Sequence, residues 1–174
     1  MPRRGGDVQA DRRKGGRREF SHGRLLQGMN IRTMTLEDYG AVYALWLSCK
    51  GMGLNDLDDS EYGISRFLAR NPSTCFVAEE GGGIVGVILA GNDGRRGYIY
   101  HTAVSPEYRC RGIARELVSA ALKALEALGI SKAALVVFAR NEGGNAFWEK
   151  LGFTPRDDLI YRNKTMAKMA RIDT

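Results

Sequence analysis

Hydrophobic and polar positions repeat with two different periods along the chain, and the period predicts the type of each element. Alternating or short unbroken apolar runs predict strands at 30–34, 74–80, 84–91, 98–104 and 132–139, and one or two closing strands within 153–166. Apolar positions spaced by three and four residues predict helices from the residues after Thr35 to about Cys49, and over 60–70, 112–128 and 143–152. Strands in a meander followed by strand–helix alternation indicate a mixed sheet with helices on its faces.

The residues at the helix ends agree with these boundaries. Thr35 and Asp38 resemble a capping box at the start of the first helix. The third helix ends at Gly129, a residue common after a helix C-terminus. Its predicted buried stripe is Ile113, Leu117, Val118, Ala121, Leu125 and Leu128. The run at 132–139 is continuously apolar, which predicts a buried strand.

Charge separates a basic first segment from a nearly neutral remainder. Residues 1–28 carry a net charge of +5, against +6 for the whole chain. The segment has no apolar period and cannot bury enough surface to fold, so we expect a disordered tail. A nucleic-acid-binding arm and a stretch upstream of a native start at Met29 stay open as alternatives. Residues 29–174 are long enough for one domain.

Composition narrows the class of protein further. No window reaches 18 consecutive apolar residues and no signal-peptide core precedes the domain, so we expect neither a membrane span nor secretion. The cysteines, Cys49, Cys75 and Cys110, form no CxxC pair, which argues against a disulfide framework or a zinc site. We therefore predict a cytoplasmic protein that uses no metal.

The candidate chemistry lies where the third helix begins. Arg109 and Arg111 flank Cys110 and precede Gly112 directly after a strand that ends at Ser105. A helix N-terminus presents unpaired N–H groups to anions, glycine allows close approach, and arginines add charged donors. The pattern is neither a P-loop nor a dinucleotide fingerprint. It predicts a seat for phosphate or pyrophosphate, with a solvated first turn as the alternative.

These residues resemble a known family, the GNAT superfamily of acetyl-coenzyme A-dependent N-acetyltransferases. The family hexapeptide [RQ]-x-x-G-x-[GA] is met by residues 109–114, and "NEGGNAFWEKLGF" at 141–153 is similar to the family's second signature. The resemblance covers 29–163. It implies an α/β (α+β) GNAT fold with a mixed, mostly antiparallel central sheet of about six or seven strands and helices on both faces.

The resemblance also implies which residues hold acetyl-coenzyme A. Backbone amides of the hexapeptide would bind the pyrophosphate, and backbone groups at the end of the preceding strand would contact the pantetheine arm and thioester. In the family this strand, at 98–104 here, diverges from the strand at 132–139 and leaves a slot for the cofactor between the two. Asn141 matches a family asparagine that contacts the pantetheine, and Asn145 is predicted to be a further cofactor-binding residue. The full cofactor set is Thr102, Ala103, Val104, Arg109, Cys110, Arg111, Gly112, Ile113, Ala114, Asn141, Asn145 and Trp148.

Trp148 departs from the family pattern. Many members carry a tyrosine there, which is assigned as the acid that protonates the departing thiolate. An indole N–H donates a hydrogen bond but is no useful acid. Trp148 therefore either stabilises the sulfur, with another group supplying the proton, or packs the cofactor slot.

Amide formation needs a neutral amine, and the strand at 98–104 lacks the glutamate base of some family members. His101 is the candidate base because imidazole exchanges protons near neutral pH, although a lone histidine is more often structural. Tyr100 is the second catalytic candidate. On an ideal strand Tyr98 lies on the same face as Tyr100 and is expected to line the acceptor pocket. A β-bulge would change which residues share that face.

The segment between the first two helices is acidic and borders the acceptor site in the family. Asp56, Asp58, Asp59 and Glu61 could bind a cationic amine, relay its proton or simply be solvated. Asp58 and Tyr161 are taken as pocket residues.

The predicted function is direct acetyl transfer from acetyl-coenzyme A to a primary amine, either a small molecule or a protein N-terminus. The alternative is a noncatalytic module that binds acyl-coenzyme A or, through the basic arm, RNA. We do not expect a membrane or nucleic-acid partner for the enzyme, and a homodimer stays open.

Overall fold

The computed structural model describes residues 28–172, and the predicted tail lies outside the described residues apart from Gly28. Residues 28–172 contain four α-helices: α1 (Tyr39–Ser48), α2 (Glu61–Arg70), α3 (Ile113–Ala127) and α4 (Glu142–Lys150). The strands are β1 (Asn30–Thr33), β2 (Leu54–Asn55), β3 (Phe76–Glu80), β4 (Gly83–Asn92), β5 (Gly97–Val104), β6 (Ala133–Leu135) and β7 (Arg171–Ile172). Through α4 the order of elements follows the prediction, apart from the short β2.

The central sheet is mixed and mostly antiparallel, as predicted. Its order is β1-β3-β4-β5-β6, and only the β5–β6 pair is parallel. The expected number of strands is wrong, because five strands form this sheet. The short strands β2 and β7 pair with each other in a separate two-stranded sheet.

Helices cover both faces of the sheet, and each face has its own core. On one face α1 and α2 pack, through residues that include Trp46 and Ile64, against Val77 of β3 and Val87 and Leu89 of β4. On the other face α3 buries its stripe against Ala78, Ile88, Ala90 and Ile99. Leu128 is an exception to the predicted stripe. It lies beyond the last residue of α3 and is 53% exposed.

A β-bulge interrupts the alternation of β5. Ile88 pairs with Thr102 but Ala90 pairs with Ile99, so three steps on β5 oppose two on β4. Ile99 accordingly packs on the α3 face, whereas Ala103, four residues later, packs on the α1–α2 face. The extra residue places the neighbours Tyr100 and His101 on the same side of the sheet, against α2 and α1 respectively.

The predicted buried strand at 132–139 is wrong in length and burial. β6 covers only Ala133–Leu135, and its residues are partly or fully exposed. It pairs with β5 only as far as Ile99, so the rest of β5 has no strand partner on that side among residues 28–172. The sheet therefore opens beside residues 100–104.

The closing strands predicted within 153–166 are also wrong, because that range contains no strand in the described structure. Its only unbroken apolar run, Leu159 to Tyr161, is bounded by charged residues on both sides and is exposed. The chain instead returns to the acidic segment after α1. There the Ala170 N–H donates to Asp56 Oδ1 at 2.6 Å, and β7 pairs with β2.

Candidate active site

The turn before α3 is shaped as an anion-binding concavity. Cys110 and Gly112 both have left-handed φ values, 61° and 87°. Among the described residues, no acceptor pairs with the main-chain amides from Cys110 to Ala114. A side chain at Gly112 would meet nothing within 4 Å, so the space above the turn is open. Successive free amides in such a turn, at a helix N-terminus, suit a phosphate group.

The sequence analysis expected the side chains of Arg109 and Arg111 to donate to an anion in this concavity, but both point elsewhere. Arg109 Nε donates to the Val104 carbonyl at 3.2 Å, and its Nη2 lies 3.6 Å from Cys49 Sγ. Arg111 Nη2 pairs with Glu80 Oε1 at 2.6 Å and stacks over the Tyr108 ring. Both guanidinium groups therefore brace the turn against the sheet, which leaves main-chain amides as its anion donors.

The other hexapeptide side chains fall into two groups. Ile113 is buried in the α3-face core and Ala114 packs partly against it, so these two anchor the first turn of α3. Cys110 is exposed. Thr102, Ala103 and Val104, the predicted cofactor-binding residues of β5, lie along the part of that strand that β6 leaves unpaired. Ala103 is buried, and the Thr102 hydroxyl donates to the Tyr100 carbonyl at 3.2 Å.

The asparagines before and within α4 hold the loop that enters this helix. Asn141 Oδ1 accepts from the Gly144 N–H at 2.9 Å and so caps α4. Asn145 Nδ2 donates to the carbonyls of Phe138 at 3.1 Å and Asn141 at 2.8 Å. Trp148 packs edge-on between Phe147 and Phe153, with ring centroids 5.1 Å apart in each case. These contacts favour packing as the role of Trp148.

His101 has a carboxylate partner that the sequence did not identify. Its Nε2 lies 2.6 Å from Asp59 Oδ1, although the two residues are 42 positions apart. Asp59 is only 3% exposed, and its Oδ2 accepts from the Asn55 N–H at 2.7 Å. The Tyr39 hydroxyl donates to the Asp59 carbonyl at 3.0 Å. Asp59 stood among four acids of its segment, and no local pattern singled it out.

This pair has the features of a general base. Because both carboxylate oxygens of Asp59 are engaged, its orientation is fixed, and the Trp46 ring holds the imidazole from the side at 5.1 Å. A neutral imidazole that donates its Nε2 proton to a carboxylate keeps a lone pair on Nδ1. The carboxylate also stabilises the imidazolium that forms when Nδ1 takes a proton.

The predicted pocket residues come together beside His101. The Tyr98 and Tyr100 rings are 4.8 Å apart, and Tyr100 meets Phe67 of α2 at 5.5 Å. Burial raises the pKa of both phenols, and Tyr161 is near enough to raise both further. Asp58 adds to the raised pKa of Tyr100. Both phenols are therefore protonated at neutral pH.

Two kinds of feature are absent from the part of the chain that the structure describes. No three histidine, cysteine or acidic side chains there lie close enough to hold a metal ion. None of its helices is both long enough and apolar enough to cross a membrane.

The sequence matches the family model described as the acetyltransferase (GNAT) family over residues 39–153. It is 37% identical over 138 residues to an acetyltransferase of Sodalis glossinidius, covering 79% of this chain and 96% of that relative. The fold is similar to PaiA N-acetyltransferase of Thermoplasma acidophilum in complex with coenzyme A (TM-score 0.65, 20% identity, 74% of this chain and 91% of that one). It is also similar to the ribosomal-protein-S18-alanine N-acetyltransferase of Escherichia coli (TM-score 0.59, 22% identity, 72% and 77%).

Proposed function

Because the chain belongs to the acetyltransferase (GNAT) family, it is an acyltransferase, and we propose that it moves acetyl from acetyl-coenzyme A directly to a primary amine. The observation that carries this proposal is the 2.6 Å contact between His101 Nε2 and Asp59 Oδ1 beside the open edge of β5. A buried carboxylate that orients a partly exposed imidazole is suited to removing a proton from an incoming nucleophile.

Two main-chain surfaces fit the two halves of the acetyl donor. The free amides from Cys110 to Ala114 would bind its diphosphate, and the open edge of β5 from Thr102 to Val104 would pair with the amides of its pantetheine arm. Asn141 and Asn145 would shape the slot through the loop they hold, and Trp148 through its packing. When bound, the donor supplies an activated thioester carbonyl.

The chain's own groups then move the protons. His101 Nδ1 takes a proton from the amine as its nitrogen forms the new bond to carbon, and Asp59 stabilises the resulting imidazolium. The carbon–sulfur bond breaks, and the departing thiolate needs a proton. Trp148 cannot supply one. We assign this role to Tyr100, whose raised pKa keeps the phenol protonated until the thiolate departs.

The acceptor is a small molecule or a protein N-terminus. A terminal α-amine, with a pKa of about 7.8, loses its proton far more easily than a lysine side chain at about 10.4.

The test is release of free thiol from acetyl-coenzyme A by the purified chain with a panel of primary amines. We expect His101→Gln to lower kcat about 10²–10⁴-fold, since that is the usual contribution of a general base, with little change in the KM for the coenzyme. Tyr62→Leu is the control, because Tyr62 is 73% exposed and its ring contact is with Arg66 of the same helix. A His101→Gln variant with wild-type kcat would contradict the assignment.

A further inference from the structure

The short strand β2 uses its two edges for two different partners. Along one edge it pairs with β7, and the Asp56 N–H that follows β2 donates to the Ala170 carbonyl at 3.0 Å. The preceding Asn55 N–H donates to Asp59 Oδ2 at 2.7 Å. Successive N–H groups of an extended strand point to opposite edges. The edge that β7 leaves free therefore holds the carboxylate that orients His101.

A side chain strengthens the junction between β2 and β7. The Ala170 N–H donates to Asp56 Oδ1 at 2.6 Å, so the two residues exchange two hydrogen bonds. The sequence leaves three roles open for the exposed Asp56, and the structure gives its carboxylate a partner beside β7. Among residues 28–172, β2 has no strand partner other than β7. This junction therefore fixes the segment from which the Asn55 N–H reaches Asp59.

The strand β7 also reaches the loop before α4. The guanidinium of Arg171 lies over the Phe138 ring, 5.6 Å from its centroid. The Phe138 carbonyl accepts from the Asn141 N–H at 2.9 Å and from Asn145 Nδ2 at 3.1 Å. The same ring lies against the residue before Met52–Leu54 ends, because a Cβ at Gly53 would be only 3.2 Å from Phe138 Cζ. One aromatic ring thus contacts the segments of both halves of the site.

We propose that β7 positions both halves of the active site. Asp56 and Ala170 fix the segment that orients Asp59, and Arg171 steadies the loop that shapes the coenzyme slot. All of these act through other residues, so they are positioning residues and take no part in the chemical step. The inference rests on the proposed function, because it gives β7 a part in setting the general base. The two contacts involve different side chains, which can be removed separately.

The first pair of variants tests the junction with Asp56. Asp56→Ala in the full chain removes the acceptor of the Ala170 N–H, and we expect kcat to fall about fivefold, the value of one hydrogen bond, with the KM for the coenzyme unchanged. Asp56→Asn keeps an acceptor oxygen and should restore kcat to within about twofold of the wild type. Asp158→Ala is the control, since it removes an exposed carboxylate that pairs with Arg156. A wild-type kcat in Asp56→Ala, or a kcat in Asp56→Asn as low as in Asp56→Ala, would overturn the proposal, the second because it would make the charge of Asp56 the active feature.

A second pair of variants tests the contact with the coenzyme loop. Arg171→Leu removes the guanidinium but keeps the main-chain pairing of β7. It should raise the KM for acetyl-coenzyme A about threefold, the value of an exposed cation–aromatic contact, and leave kcat unchanged. Arg156→Leu is the matched control, because Arg156 is exposed and pairs with Asp158. The same KM in Arg171→Leu and Arg156→Leu would refute the role of β7 at the coenzyme slot.

A spectroscopic measurement separates this proposal from the proposed function. The 2.6 Å contact with Asp59 should give the His101 Nε2–H a downfield proton resonance, which His101→Gln identifies by its loss. We expect this resonance to weaken in Asp56→Ala and to return in Asp56→Asn. If it does so while no amine is acetylated, the proposed function fails and the role of β7 stands. If amines are acetylated while the resonance and kcat of Asp56→Ala match the wild type, the role of β7 is wrong and the enzyme assignment stands.

Discussion

The middle of β5 and the turn beyond its carboxyl end build their halves of the site in opposite ways. At the carboxyl end, the turn before α3 offers consecutive main-chain amides from Cys110 to Ala114, all within one short stretch of sequence. In the middle of the strand, His101 depends on Asp59 from a loop 42 residues earlier and on Trp46 from α1. One half is made by backbone conformation and the other by side chains that only the fold brings together.

The difference predicts how each half responds to substitution. A main-chain site tolerates many side chains but fails where the backbone can no longer adopt its φ values. A side-chain site fails when a single functional group is lost and withstands modest backbone change. The two arginines of the turn sharpen this contrast, because their side chains brace the sheet and leave the amides as the donors.

The largest effect is expected at the acceptor half. Asp59→Asn keeps the size of the side chain but removes the charge that stabilises the imidazolium, so we predict a fall in kcat of about 100-fold, within the range of positioning groups in proton transfer. The KM for the coenzyme should not change. Steady-state kinetics at several pH values checks this, and an unchanged kcat together with an unchanged pH profile would show that Asp59 serves only the fold.

The next effect is expected at the coenzyme half. Gly112→Val forces a β-branched residue into φ 87°, which costs about 1–3 kcal/mol of backbone strain, so we expect the KM for acetyl-coenzyme A to rise about tenfold or more. Arg111→Ala is the matched comparison and should raise that KM less than threefold, roughly the value of a partly exposed ion pair. A larger effect for Arg111→Ala than for Gly112→Val would reverse the main-chain assignment.

The smallest effect on activity is expected at the structural ion pair of Arg32 and Asp38, whose other hydrogen-bond partners are Thr33, Thr35 and Glu79. Arg32 donates to both oxygens of the Asp38 carboxylate, which also accepts from the Thr35 N–H at 2.8 Å and thereby completes the predicted capping box. These bonds, with Arg32 first, hold the pKa of Asp38 below its usual 3.8 despite burial. The stabilisation is therefore present above about pH 4 and is lost as the pH falls through the lower folded-state value.

Asp38→Asn should accordingly lower the free energy of unfolding at pH 7 by about 1–2 kcal/mol. Its stability should change less than that of the wild type as the pH falls below 4. Urea unfolding at a series of pH values provides the measurement. Equal pH dependence of stability in both proteins would show that the Asp38 carboxylate does not contribute to it. A changed KM for acetyl-coenzyme A in Asp38→Asn would show that this ion pair also affects the active site.

The same contrast explains what the sequence could predict. The anion site at 109–114 can be predicted because all its amides lie in one short stretch of sequence. The buried stripe from Ile113 to Leu125 can be predicted because α3 has a regular hydrophobic period. The Asp59–His101 contact cannot be predicted, since nothing near either residue specifies the other. The bulge that turns Tyr100 and His101 to one side was foreseen only as a condition under which the strand parity would fail.

The wrong strand predictions in the carboxyl-terminal part of the chain, at 132–139 and within 153–166, have a physical reason too. The run at 132–139 is apolar enough for a buried strand, but its pairing with β5 ends at Ile99, and strand length is set by the partner as much as by the run itself. For the same reason, Leu159 to Tyr161 has strand-forming side chains and no strand. Pairing is a tertiary property that periodicity does not contain.

The most direct test of the main-chain seat is a titration of the ¹⁵N-labelled protein with coenzyme A, followed through its amide resonances. The account predicts that the amides of Cys110 to Ala114 shift most, with downfield changes typical of new hydrogen bonds to phosphate. Amides of β1, on the far edge of the sheet, should stay in place. Saturable binding that leaves the resonances of 110–114 unmoved would contradict the account.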